Sequence, residues 1–191
     1  MTRVLVTGFE PFGGSAVNPS QKIVEALDGV VLPVAYARAA DALRVAIRKQ
    51  EPELVISFGQ AERAYVSVER FALNLDDAGN VDNDGSSSAQ PIDPDGPVAY
   101  QSTLHVDELV SALRADGIPA DASRDAGGFL CNHVFYTLMR TLEQERPQAR
   151  GGFVHVPLLP EQALDKAAPS MPLDMLVRAA RVIVAACAAP R

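Results

Sequence analysis

The chain is short of cysteine, of histidine and of clustered positive charge, and each shortage removes a class of protein. Two cysteines in 191 residues cannot build a disulfide framework, so a reducing, cytoplasmic location is expected. Seventeen Lys and Arg face 24 Asp and Glu, a formal net charge of −7 with no basic run to interrupt it. Nucleic acid and anionic membrane surfaces are therefore not expected as partners. Long apolar runs are missing too: Met1 to Gly8 is too short for a signal peptide, and Val182 to Pro190 falls far short of a membrane span. Asn18-Pro19-Ser20 is no glycosylation acceptor, because proline fills the middle position. What the chain has in quantity is apolar side chain, 48% of its residues, enough to build one domain over residues 1–191 around a substantial core.

A first strand is predicted over Arg3 to Thr7, apolar on both sides like a strand covered by helices on both faces. The loop from Gly8 to Ser15 imitates a phosphate loop, but Gly14 stands where the essential lysine belongs, so nucleotide binding is rejected. Phe9 and Phe12 in that loop read either as a ligand wall at a strand's carboxyl end or as core packing. Asn18 as N-cap, Pro19 and Gln21 then open a helix with Ile23, Val24 and Leu27 on its apolar face, stopping at Gly29. A strand over Val30 to Tyr36, a helix over Asp41 to Gln50 and a strand over Leu54 to Phe58 continue the alternation.

Tyr65 to Asn74 reads as one strand, with Val66, Val68 and Arg70 on one face and Ser67, Glu69 and Phe71 on the other. Asp76 to Gln101 has no periodicity and is long enough to act as a lid. Within it Asn80 to Gly85 imitates a calcium loop, but Pro91 occupies the twelfth position, so no calcium site is expected. Helices follow over Val106 to Asp116, from Cys131 to near Arg146 and over Leu173 to Ala188. Between them lie an extended piece over Ile118 to Ser123 and a strand over Gly152 to Leu158.

Chemistry concentrates where Ala126-Gly127-Gly128-Phe129-Leu130-Cys131-Asn132 turns into an amphipathic helix carried by Val134, Phe135, Leu138, Met139 and Leu142. A helix start offers unpaired N–H groups and the positive end of the macrodipole, which favour a thiolate. Cys131 is thus a candidate nucleophile, or a small buried hydrophobe. Cys187, inside an alanine-rich helix, reads as packing. A cysteine nucleophile needs a histidine for its proton and a third group to fix the imidazole. Of the three histidines, His105 reads as a surface turn, and His133 points roughly 200° around the helix from Cys131. His155, on a strand, can lie beside Cys131 in space or sit in the core with satisfied nitrogens. Glu69 among apolar neighbours reads first as half of a salt bridge.

These residues belong to longer motifs in a fixed order: Val4 to Gly14 with Asn18-Pro19-Ser20; Val66-Ser67-Val68-Glu69-Arg70-Phe71-Ala72-Leu73-Asn74; Asp82-Asn83-Asp84-Gly85 with Pro91-Ile92-Asp93; Ala126 to Asn132 with Phe135-Tyr136; Gly152 to Pro157; and Pro169-Ser170-Met171. Nearly end to end, the chain resembles the type I pyroglutamyl peptidases (pyrrolidone-carboxylate peptidases), cysteine peptidases that remove an N-terminal pyroglutamyl residue. The resemblance implies an α/β fold, a three-layer α/β/α sandwich around a mostly parallel, mixed sheet. It implies a cytoplasmic homotetramer without metal or cofactor, acting on pyroglutamyl peptides. It also implies Cys131 as nucleophile, His155 as base and then acid, and Glu69 as the group orienting the imidazole. Phe9 and Phe12 would wall the uncharged lactam ring, Asn18 and Gln60 would be its polar contacts, and the Cys131 N–H would receive the oxyanion.

Two departures stand out. Where the family typically reads Asp-Ala-Arg-Ile-Pro-Asp-Asn, this chain has Asp77-Ala78-Gly79-Asn80-Val81-Asp82-Asn83, and the turn between Gly59 and Glu69 is one residue shorter. A positive charge near the site is thereby missing, with Arg63, Arg70 and Arg124 as candidates to replace it. Two other activities stay open from the residues: a weakened relative that binds lactam ends without turnover, and a thiol amidase for another small amide.

Overall fold

The computed structural model describes residues 2–77 and 79–189, so Met1, Ala78, Pro190 and Arg191, which the sequence motifs touch, lie outside the described residues. Strand and helix alternate as β1 (Val4–Phe9), α1 (Pro19–Glu25), β2 (Val30–Leu32), α2 (Tyr36–Gln50) and β3 (Leu54–Gln60). Then come β4 (Val66–Glu69), β5 (Phe71–Leu73), β6 (Ala99–Gln101), α3 (Val106–Ala115), β7 (Ala120–Ser123), α4 (Leu130–Glu145), β8 (Arg150–Val156) and α5 (Leu173–Ala188). One sheet of six strands runs in the order β2-β1-β3-β8-β4-β7. Every pairing in it is parallel except β4 against β8.

Side-chain alternation divides this sheet into two faces. Val6, Leu54, Ile56, Phe58, Val66, Val68, Val154 and Val156 pack with α1, α3 and α5, whereas Leu5, Phe9, Val55 and Phe153 pack with α2 and α4. Helices thus cover both sides, as a sheet with buried parallel strands requires. Because successive residues point to opposite faces, Ser57, Gly59, Ser67, Glu69 and His155 all fall on the α4 face. Helix α4 is held there by Val134, Phe135 and Leu138, each 0% exposed, and burial of side chains of this size stabilises by ~1.5–3 kcal/mol apiece. Core packing therefore sets where the residues at the start of α4 stand.

The elements depart from the sequence pattern most at β4 to β6, where Ala99–Gln101 of the expected loop is a strand, and around α2. The strand expected over Tyr65 to Asn74 is two: β4 in the main sheet, and β5 paired antiparallel with β6 in a separate ribbon. Arg70 is the junction, its N–H donating to Ser123 O and its carbonyl accepting from Ser102 N. Helix α2 begins at Tyr36 rather than at Asp41, and the strand before it ends at Leu32. Its N-cap, Ala35, has no side-chain oxygen, and Asp82 from the long loop accepts the Tyr36 N–H instead at 3.0 Å.

That loop is also not a free flap. Asp82 Oδ1 takes the N–H groups of Asp84 and Ser86, which uses the acid as a backbone cap. Asn83 bonds Glu10 and the Pro11 carbonyl, and Arg140 holds Asp93 at 2.9 Å. Among the described residues no group of three or more His, Cys, Asp or Glu could hold a metal ion, and no helix is long and apolar enough to cross a membrane.

Candidate active site

Cys131 is the second residue of α4. The N-cap, Phe129, offers no side-chain hydrogen bond, so the first-turn N–H groups beside the sulfur keep their donor capacity. Close approach is arranged from below: Gly59 on β3 lies under the thiol, and a Cβ there would come within 2.7 Å of both Cys131 Sγ and Phe153 Cζ. Gly59 is the register partner of His155 on β8, so the imidazole stands next to the space the sulfur fills. Gly59→Ala should therefore displace the thiol and lower kcat by tenfold or more, with ~1–3 kcal/mol lost from overpacking. Steady-state kinetics and thermal unfolding of that variant check both effects.

Glu69 reaches the same imidazole because β4 runs antiparallel to β8. Ser67 pairs with His155, and Glu69 follows two residues on, on the same face. His155 Nδ1 lies 2.8 Å from Glu69 Oε1. A carboxylate oxygen only accepts, so Nδ1 carries the proton and Nε2 is left for the cysteine. Glu69 is fully buried, so it is no surface salt bridge, yet it does have a cationic partner: Arg63 donates to the same Oε1 at 2.8 Å and to the Asp125 carbonyl at 2.8 Å. Arg63 thus ties the β3–β4 turn to the segment leading into α4.

Burial opposes a charged His155, but the Cys131 thiolate, by charge and hydrogen bond, and then Glu69 outweigh it and raise the imidazole from 6.5 to about 9. Cys131→Ala removes the leading favourable influences, so the imidazole pKa should fall, which an NMR titration of the ring protons reads directly. The sign of the stability effect follows. A native value above the free one means the protonated ring stabilises the fold in full below pH 6.5, a contribution lost as pH rises through about 9.

In front of the sulfur a small cleft is lined by Phe9, Phe12, Asn18, Val34, Gln60, Phe129, Leu130 and Cys131. Larger hollows of about 530 and 590 Å³ lie at the start of α3 and beside Arg181, but neither touches the Cys131, His155 and Glu69 cluster. All four residues named from the sequence as ring contacts thus line the cleft at the thiol. Asn18 is the most committed of them: Oδ1 accepts from the N–H and O–H of Ser20, and Nδ2 donates to the Glu10 carbonyl. Phe129, its ring centroid 6.3 Å from that of Phe12, forms a wall that the sequence reading did not assign.

Comparison with known proteins extends over nearly the whole chain. The family model described as pyroglutamyl peptidase matches residues 2–189. The chain belongs to the pyroglutamyl peptidase family. It is 46% identical over 200 residues to the pyrrolidone-carboxylate peptidase of Streptomyces coelicolor, covering 98% of this chain and 93% of that one. With the Bacillus licheniformis pyrrolidone-carboxylate peptidase it shares 44% identity over 192 residues, 94% of this chain and 89% of the relative. The crystal structure of Bacillus amyloliquefaciens pyroglutamyl peptidase I superposes with a TM-score of 0.97 at 38% identity, covering 100% of this chain and 98% of that chain.

Within this family the chain's departures take on structural form. Gly79, at the position where arginine is typical, adopts φ +61°, and apart from its chain neighbours no atom of the described residues lies within 4 Å of where a Cβ would stand. Of the three arginines that could replace the lost charge, Arg63 is on the Glu69 carboxylate. Arg70 turns away to pair with Asp107.

His133 is directed as the helical spacing implies, away from the sulfur. Its Nδ1 meets both oxygens of Asp76 at 3.1 and 3.0 Å. Asn132 accepts from the Leu73 N–H and donates to the Leu73 and Leu75 carbonyls. These neighbours of the cysteine pin α4 to the chain after β5.

Proposed function

We propose that this chain hydrolyses the amide bond after an N-terminal pyroglutamyl residue, with Cys131 as nucleophile, His155 as proton carrier and Glu69 as the residue orienting His155. The carrying observation is the Glu69–His155 pair at 2.8 Å, set by the Gly59 register beside the Cys131 sulfur, at a cleft walled by Phe9, Phe12 and Phe129. An uncharged lactam suits walls of this kind, since among the described residues no carboxylate lines the cleft to hold a charged α-amine.

In this reading the Cys131 proton passes to His155 Nε2, and the thiolate attacks the pyroglutamyl carbonyl carbon. The carbonyl oxygen becomes an oxyanion that accepts from the Cys131 N–H at the start of α4. His155 returns the proton to the leaving amine as the C–N bond breaks, leaving a pyroglutamyl thioester. A water then gives its proton to His155, attacks the thioester carbon and releases pyroglutamate and the thiol. Glu69 holds the ring at Nδ1 throughout and stabilises the imidazolium. Loss of the acid form of His155 above about pH 9 should slow amine release.

Neither cysteine is in a disulfide among the described residues, which fits an enzyme that needs its thiol reduced and a cytoplasmic setting. The homo-oligomer that the family resemblance implies has support in the exposed Leu73 and Val98 beside the β5–β6 ribbon. The deciding experiment is release of a fluorophore from a pyroglutamyl amide by pure, reduced protein. Turnover is expected, whereas thermal stabilisation by pyroglutamate without turnover would make the chain a lactam-binding relative instead.

A further inference from the structure

We propose that Gln162 is a positioning residue that fixes which end of the Gln60 amide faces the cleft, and so makes the site a reader of the lactam carbonyl. The proposal rests on the pyroglutamyl reading of that cleft. After β8 the chain turns through a 3-10 segment, Pro160–Ala163. There Gln162 Oε1 accepts the Leu159 N–H at 2.9 Å, which settles the orientation of its amide. The opposite end, Nε2, faces Gln60 Oε1 at 2.9 Å, Ser15 Oγ at 3.1 Å and the Val17 carbonyl at 3.2 Å. Turned over, Gln162 would put its oxygen against the Val17 carbonyl and its NH2 against the Leu159 N–H.

That constraint passes to Gln60. With Oε1 taken by Gln162, the Gln60 NH2 is left as a donor at the cleft wall, and it has no hydrogen-bond partner among the described residues. The other polar wall, Asn18, has its oxygen doubly occupied by Ser20 and one NH2 hydrogen on the Glu10 carbonyl, so the one group left there is the second NH2 hydrogen, again a donor. A cleft whose side-chain polar groups are donors recognises an acceptor. On a five-membered ring the acceptor that separates pyroglutamyl from prolyl is the lactam carbonyl, and a ring without it leaves the donors unpaired.

Five proteins test this: wild type, Gln162→Leu, Gln162→Glu, Gln60→Ala, and Gln162→Leu combined with Gln60→Ala. Each is assayed on a pyroglutamyl amide and a prolyl amide, with thermal unfolding and the rate of Cys131 alkylation by iodoacetamide as checks of fold and thiol. Gln162→Leu should raise KM for the pyroglutamyl amide about tenfold, the size of one lost oriented hydrogen bond, with kcat little changed. The preference over prolyl should shrink by the same factor.

Gln162→Glu keeps the acceptor for the Leu159 N–H but no longer donates to Gln60, so it should not rescue. In the Gln60→Ala background, Gln162→Leu should add nothing to KM. A wild-type KM in Gln162→Glu, or an undiminished Gln162→Leu effect without Gln60, would reduce Gln162 to a structural cap and overturn the proposal. Absence of pyroglutamyl turnover by wild type would instead overturn the functional reading, and this proposal with it.

Discussion

Cys131→Ala should lower kcat on a pyroglutamyl amide by roughly 10⁴-fold or more, the scale on which removal of a nucleophile acts. The loss should be purely chemical. Cys131 is only partly buried at the helix start, and the helix is held by Val134, Phe135 and Leu138 further along, so the variant should fold, with thermal unfolding lowered only by what Cys131 contributes to the charged His155. Cys187→Ala is the matched control: that thiol is 4% exposed on α5, which packs on the opposite face of the sheet, and kcat should stay at the wild-type value. Stopped assays on the two variants side by side separate a catalytic thiol from general thiol chemistry.

Glu69→Gln should cost about 10²–10⁴-fold in kcat with KM nearly unchanged, as for other buried carboxylates that orient a catalytic imidazole. The change keeps the shape of the side chain and removes the charge that helps to raise His155. The upper pH limit of activity should move down with it, so a pH–rate profile distinguishes this cause from misfolding. Arg63→Gln makes a graded comparison. Arg63 is 27% exposed at its side chain, and Glu69 keeps the His155 contact without it, so the loss should be smaller than for Glu69→Gln. An Arg63→Gln loss as large as that of Glu69→Gln would show that the guanidinium itself stabilises charge in the reaction.

What could be read in the sequence followed from periodicity and from local capping. The α4 pattern of Val134, Phe135, Leu138, Met139 and Leu142 is buried as spaced, and α5 has the expected limits, Leu173–Ala188. The alternation within Val66 to Glu69 placed Glu69 and Ser67 on one face, which is the face of His155. Through-space contacts were not legible. Asp82 starts α2 at Tyr36 from a loop far along the chain, and Arg70 splits one apparent strand between two sheets. Arg63 was only one of three candidates until its fork between Glu69 and the Asp125 carbonyl was seen. Gln162 carried no signal, because the role proposed for it depends on a through-space contact with Gln60 at the end of β3. Gly59 had a signal in hindsight: a glycine inside an otherwise apolar strand marks close approach by something else, here Cys131 Sγ.

The central claim is that the pyroglutamyl group is carried on the Cys131 sulfur. Mixing reduced protein with a pyroglutamyl amide, quenching in acid within the first turnovers and mapping the digested chain by mass spectrometry tests it most directly. The account predicts a pyroglutamyl thioester on the peptide bearing Cys131, absent from the Cys131→Ala variant and from protein first blocked with iodoacetamide. Turnover with no adduct on Cys131 when another residue carries it, or turnover that survives Cys131→Ala, would contradict it.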